Sequence, residues 1–303
     1  MSENKNENKK SRGPLNKILL CVFALTFLVS TGMLIRELYV KQQQQALYEE
    51  LAAGIEKSES SDIDASGDAE NGDFSASGNL ENETVGTESE NTESEGTNEG
   101  SLEDALSDET SQKEIDWEAL KKQNEDIYAW IYIPDTKINY PILQHPTEPS
   151  YYLKHNIDHS TGLPGCIYTQ NYNSTDFTDP NTVIYGHNMK NKTMFGSLHN
   201  FEDNLFFEEH PYVYIYTPEK TLVYEIFAAY EYSDAHVLLN FDYETPESFE
   251  LYLESVRSIK EMNSHQREET VVTSADKIIT LSTCISGKDD KRWLVQAVLL
   301  NEE

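Results

Sequence analysis

Cysteine is scarce in this chain: three in 303 residues, at Cys21, Cys166 and Cys284. That is too few for a disulfide framework, and Cys21 lies in an apolar run, so a Cys166–Cys284 bridge is the one pairing left open. No CxxC or HExxH spacing occurs, which speaks against a metal site. Basic residues are also few, with 23 Lys and Arg against 54 Asp and Glu and a formal net charge of −31. Such an acidic balance argues against nucleic acid as a partner, because phosphate contacts need a basic face. No internal repeat is visible.

The charge is unevenly placed. Residues 1–17 are polar and basic, and Ile18–Ile35 (ILLCVFALTFLVSTGMLI) then carries no charge. At about 1.5 Å of rise per residue, this run is long enough to cross a bilayer core of about 30 Å. A cleaved signal peptide is the other reading, but Arg36, Glu37 and Leu38 follow instead of a small-residue cleavage site. The basic excess before the run predicts a signal anchor with a cytoplasmic N-terminus and everything later outside. Residues 36–57 read as a juxtamembrane stalk, with Leu38, Tyr39, Ala46 and Leu51 as apolar positions in a loose helical pattern. Residues 58–112 hold 17 acidic residues and no Lys or Arg. Their apolar content is too low to offset ordering entropy, so a disordered acidic linker is expected, with a specific acidic binding tail as the sharper alternative.

The folded part is expected over 113–303. Asp116 can cap a helix running to about Asp126. Short extended pieces follow at Tyr128–Ile133, Ile138–Leu143, Gly165–Thr169, Thr182–Tyr185, Tyr212–Tyr216 and Thr221–Tyr230, separated by Pro, Gly, Asn and Asp. Many short strands at this spacing suggest an all-β barrel or sandwich. One helix interrupts them: Pro246 suits its first turn, and Phe249, Tyr252, Leu253, Val256 and Ile259 fall at helical spacing. The last stretch, Lys277–Leu300, reads as a strand, a turn made of Ser286 to Asp290, and a second strand.

Cys284 therefore falls at the end of one strand and Arg292 at the start of the next. A thiol beside a guanidinium can attack a carbonyl and hold the resulting oxyanion. Each residue also has an ordinary reading: a buried small hydrophobe for Cys284, a surface ion pair for Arg292. Cys166, in LPGCIYT, fits the buried description better. Of the eight histidines, most sit in polar loop contexts where a solvated side chain is expected. His187, in NTVIYGHNM, projects from a strand end and is the candidate base.

Together, Ile184-Tyr185-Gly186-His187-Asn188, Thr193-Met194-Phe195, Thr280-Leu281-Ser282-Thr283-Cys284 and Arg292 before an apolar strand resemble a sortase, class B most closely. The resemblance spans Lys113 to about Leu300 and includes Ile133–Pro141, Tyr151–Leu153 and a helix over Pro246–Ser264. It implies a closed, mostly β barrel with an N-terminal helix and one long helix between late strands. It also implies Cys284 as nucleophile, His187 as general acid and base, and Arg292 as the oxyanion ligand, helped by the backbone N–H of Ile285. Leu153, Val237, Leu238 and Ser282 would line the peptide groove. The implied enzyme is a membrane-anchored thiol transpeptidase of a Gram-positive type envelope, without metal or organic cofactor. It would cleave secreted proteins after the Thr of a C-terminal sorting motif and pass them to a peptidoglycan precursor or cross-bridge amine. A thiol endopeptidase delivering the acyl group to water, and an inert surface-binding module, are the alternatives. Two departures stand out: the segment between Cys284 and Arg292 is shorter than in class B relatives, and Pro149 replaces a polar residue found in some.

Overall fold

A computed structural model describes residues 14–61 and 115–302. Residues 1–13 of the expected basic tail, and the acidic linker from 62 onward, lie outside the described residues. The first element, α1 (Pro14–Ser61), is one unbroken helix carrying both the apolar run and the expected stalk. It is long and apolar enough to cross a membrane by length and composition. Leu20, Phe23, Phe27, Leu28 and Leu34 are all exposed, as a lipid-facing helix would require.

The stalk differs from its expected form. Leu38 and Tyr39 are exposed, while Gln44, Leu47, Tyr48, Leu51 and Ala52 share one face against the folded domain. That spacing follows the helical repeat. Tyr48 is buried, donates its hydroxyl to Gly165 O at 2.9 Å, and meets the Tyr140 ring edge-on at 5.4 Å. Gln44 Nε2 donates to Asp158 Oδ2 at 2.9 Å. The stalk is docked on the domain.

The domain begins with α2 (Trp117–Gln123), capped by Asp116 accepting from Ala119 N at 2.8 Å. It ends short of Asp126 because the Asn124 side chain turns inward and donates to Tyr152 Oη and Ile157 O. The strands are β1 (Ile127–Tyr132), β2 (Asn139–Leu143), β3 (Ile167–Thr169), β4 (Asn181–Tyr185), β5 (Tyr212–Tyr216), β6 (Thr221–Ser233), β7 (His265–Gln266), β8 (Ile278–Ile285) and β9 (Lys288–Glu302). Their β-branched and aromatic content suits a pleated, buried surface. Sheet order is β5-β1-β2-β3-β4-β8-β9-β6, and β6 pairs back onto β5. Since β7 pairs only with β6, eight strands close the barrel and leave no open edge in the ring. Its interior is filled by side chains such as Ile131, Ile142, Ile184, Ile226, Leu281 and Val295.

A second core lies outside the barrel wall. The helices α3 (Asn204–Glu209) and α4 (Val237–Asn240) are short. Helix α5 (Pro246–Arg257) opens on a Thr245–Ser248 capping box with Pro246 in its first turn. Phe249, Tyr252, Leu253 and Val256 pack it onto Val183, Ile278, Leu294 and Val298. The helix ends at Arg257, not Ser264. Gln266 Nε2 donates to Val256 O and Ile259 O, drawing the chain off the helical path. The turn between β8 and β9 is also tighter than expected. Only Ser286 and Gly287 form it, with Gly287 at φ 80, and β9 starts at Lys288.

Candidate active site

Register gathers the chemistry. β4 runs parallel to β8 with Tyr185 opposite Ser282. The alignment continues past the strand end, because Gly186 N donates to Ser282 O at 3.2 Å and Thr283 Oγ1 donates to Gly186 O at 2.8 Å. Two residues beyond Tyr185 and Ser282 stand His187 and Cys284. On the other side of β8, Cys284 pairs with Arg292, and Arg292 in turn pairs with Tyr232 on β6. Side chains in register on neighbouring strands point to the same face, about 5 Å apart at the backbone. His187, Cys284, Arg292 and Tyr232 thus form one row across four strand paths. Tyr185, Ser282 and Leu294 form the row beneath.

Both rows line one cleft of about 240 Å³, walled also by Leu153, Tyr168, His236 and Val237. Of the residues expected in the groove, Leu153, Val237 and Ser282 are here. Leu238 is not in its lining and packs against the outer core instead. The Ile285 side chain packs against the barrel core.

Each side chain is held in a specific way. His187 Nε2 donates to Leu153 O at 2.7 Å, so that nitrogen keeps its proton. A backbone carbonyl, not a carboxylate, orients the ring. Two glycines make room for this. Gly165 has φ +67, and a Cβ there would lie 2.8 Å from Tyr152 O and 3.4 Å from His187 Cδ2. A Cβ on Gly186 would fall 2.5 Å from Ile167 Cδ1 and 2.7 Å from Phe195 Cγ. Cys284 is exposed and Arg292 half-buried. Arg292 Nη1 donates to Asp289 O at 2.9 Å and Lys291 O at 2.8 Å, tying the guanidinium to its own hairpin. The neighbouring lysines, Lys288 and Lys291, both pair with Glu231. Among the described residues, Arg292 is the one Lys or Arg in the cleft lining.

Cys166 and Cys284 are both free thiols, one buried and one exposed, so no bridge joins them. Burial pushes the Cys166 thiol up to about 12, which makes it inert as a nucleophile. His236 differs from the solvated loop histidine that was expected. It caps α4 and donates through Nε2 to Gln170 Oε1 at 2.6 Å, and burial lowers its pKa. His199 is likewise enclosed, with its ring stacked on Trp293 at 6.1 Å. Tyr168, Tyr185 and Tyr232 were also not singled out as cleft residues; the β3–β4, β4–β8 and β6–β9 pairings bring them there.

Known proteins share this architecture. The family described as "Sortase domain" matches residues 131–300. The chain belongs to the sortases, class B. Sortase B of Listeria monocytogenes is 36% identical over 185 residues, covering 60% of this chain and 73% of that protein. Sortase B of Staphylococcus aureus is 29% identical over 186 residues, covering 61% and 74%. Among solved structures, Clostridium perfringens sortase B superposes with a TM-score of 0.55 at 30% identity, covering 61% of this chain and 99% of that one. A Staphylococcus aureus sortase B–substrate complex gives 0.54 at 28%, covering 61% and 84%. Sortases are cysteine transpeptidases, and this sortase is an enzyme of that kind. Its closed eight-stranded barrel is typical of the family.

Proposed function

We propose that this sortase cleaves a C-terminal sorting signal of secreted proteins after its Thr and transfers the acyl group to a cell-wall amine. Cys284 is the nucleophile. Its thiolate attacks the Thr carbonyl carbon, and the carbonyl oxygen becomes an oxyanion facing the Arg292 guanidinium, assisted by the Ile285 backbone N–H. Collapse breaks the C–N bond and leaves a thioester on Cys284. His187 protonates the departing amine, and then takes a proton from the incoming amine as it attacks the thioester. Because Nε2 is committed to Leu153 O, Nδ1 is the nitrogen that exchanges protons. The observation that carries the reading is the single row of His187, Cys284 and Arg292 along one cleft.

The sorting peptide lies along Leu153, Tyr185, Val237 and Ser282, which line that cleft. Helix α1 anchors the enzyme in the membrane through residues 18–35, with the basic N-terminus cytoplasmic and the barrel outside. The test uses the full chain in detergent micelles with a panel of sorting-signal peptides and an amine acceptor. Intact mass spectrometry should find a thioacyl adduct that Cys284→Ala abolishes, resolving mainly to an amide. Resolution to acid alone would favour the endopeptidase reading. Absence of any adduct would reject the transpeptidase.

A further inference from the structure

The nucleophile sits at a weak point in the sheet. Cys284 is exposed, next to last in β8, and the β8–β9 register shifts between Cys284 and Ile285. The Ser286–Gly287 turn follows directly. A residue at a broken ladder beside a tight turn has little backbone to fix it. Side chains from outside the hairpin hold it instead. Asn188 Nδ2 donates to Cys284 O at 2.9 Å and reaches Ser286 Oγ at 3.3 Å. His199 Nε2 lies 3.0 Å from the same Cys284 oxygen and 2.9 Å from Asn188 Nδ2. The other ring nitrogen, Nδ1, is bonded to Glu202 Oε1 at 2.5 Å.

Proton accounting fixes the direction at Nδ1. The Glu202 carboxylate only accepts, so His199 Nδ1 carries a proton and donates it. In the neutral ring, Nε2 accepts one Asn188 amide hydrogen, and the second goes to Cys284 O. If Nε2 is also protonated, it donates to Cys284 O directly. The carbonyl is held in both states. The His199 side chain is only 11% exposed, stacked on Trp293, whose own Nε1 donates to Leu198 O at 3.0 Å. Glu202 is fixed from behind, where His265 Nε2 donates to its backbone carbonyl at 2.9 Å.

We propose that His199 is a positioning residue: with Glu202 behind it and Asn188 in front, it clamps the Cys284–Ile285 peptide and so keeps the thiol in its row between His187 and Arg292. The inference rests on the reading of Cys284 as nucleophile. The clamp touches the backbone carbonyl of Cys284, and none of Asn188, His199 and Glu202 lines the peptide cleft. Loosening it therefore lowers the rate of acylation while leaving peptide binding alone, since a misplaced reacting group forfeits rate and not affinity.

Two substitutions separate this role from mere packing. His199→Phe keeps a ring on Trp293 but has no polar atom. His199→Gln gives up the stacking but keeps an amide near the position of Nε2. With the full chain in detergent and a sorting-signal peptide, single-turnover acylation is followed by intact mass. The rate of Cys284 alkylation by iodoacetamide and the thermal midpoint are measured in parallel. The expected result is a kcat loss of about tenfold for His199→Phe and about threefold for His199→Gln, with KM unchanged, as loss of one or two hydrogen bonds implies. Glu202→Ala, at a half-exposed position, should fall in the same parameter. If His199→Phe acylates as fast as His199→Gln or faster, His199 is only packing, and the inference is overturned while Cys284 remains the nucleophile. If the unsubstituted chain forms no adduct on Cys284 with any peptide, the transpeptidase reading itself has failed, and this inference with it.

Discussion

Cys284 and Arg292 are direct cross-strand partners in the β8–β9 ladder, although the hairpin between them closes through Ser286 and Gly287 alone. The register shifts after Cys284, and Asp289 to Lys291 on β9 take up the slack, so a short connection still delivers the guanidinium beside the thiol. Its Nη1 is tied to Asp289 O and Lys291 O, and the side chain lines the cleft. Arg292→Lys keeps the charge and loses the planar fork. With the guanidinium in the proposed oxyanion role, kcat should fall by about 10²-fold. The thermal midpoint should not move, because these bonds stay within one exposed hairpin. A lysine variant acylating at the original rate would remove Arg292 from the oxyanion role.

Gly165 tests how His187 is held. Alanine there meets both a positive φ of 67 and carbonyl oxygens at 2.8 and 3.1 Å, those of Tyr152 and Leu153. Backbone strain of this sort costs about 1–3 kcal/mol. The contacts must also push the Leu153 carbonyl away from the imidazole, so activity should fall further than stability alone explains. Gly162→Ala is the control. Its φ of 134 is at least as unsuited to a side chain, but nothing lies within 4 Å. It should lower the urea midpoint and spare kcat. Equal activity losses at both positions would mean that the Leu153–His187 contact is not what matters.

The barrel strands were legible because short runs of β-branched and aromatic residues and Gly/Pro punctuation are local signals. His187 and Cys284 stood out for the same reason, as polar residues at the ends of apolar runs. The row they share was not legible, because it depends on the parallel β4–β8 register, which local sequence does not encode. His199 looked like a solvated loop histidine, since its partner carbonyl is 85 residues away in the chain. Helix α5 was expected to run on because Ile259 keeps the helical period. A side chain from β7, Gln266, ends it. Tyr48 was passed over in a glutamine-rich stretch, because its partners Gly165 and Cys166 lie 117 and 118 residues downstream.

Docking of α1 through Tyr48 has a measurable consequence. Tyr48→Phe leaves the Gly165 carbonyl without its donor and should cost about 1 kcal/mol. Tyr48→Ala also opens a cavity against Tyr140 and Cys166, and an aromatic-to-alanine change of this kind costs about 3–5 kcal/mol. The buried Cys166 thiol should then react with a maleimide under native conditions. Continued protection of Cys166 in Tyr48→Ala would show that the helix does not cover it.

His236 gives the cleft a pH dependence. Its Nδ1 accepts from Leu239 N at 3.3 Å to cap α4, its Nε2 donates to Gln170, and burial lowers its pKa. A depressed value means the folded state prefers the neutral ring. The associated stability is complete above the ordinary histidine value of about 6.5 and is lost as pH falls through the lower folded value. Protonation at Nδ1 removes the cap, and α4 carries Val237, which forms part of the cleft wall. Acidification should therefore raise the KM for a sorting peptide before the barrel unfolds. His236→Asn supplies a capping oxygen that does not titrate. Steady-state kinetics across this range should show KM rising in the unsubstituted enzyme and staying nearly level in His236→Asn. Superimposable KM profiles would place the pH sensitivity elsewhere in the cleft.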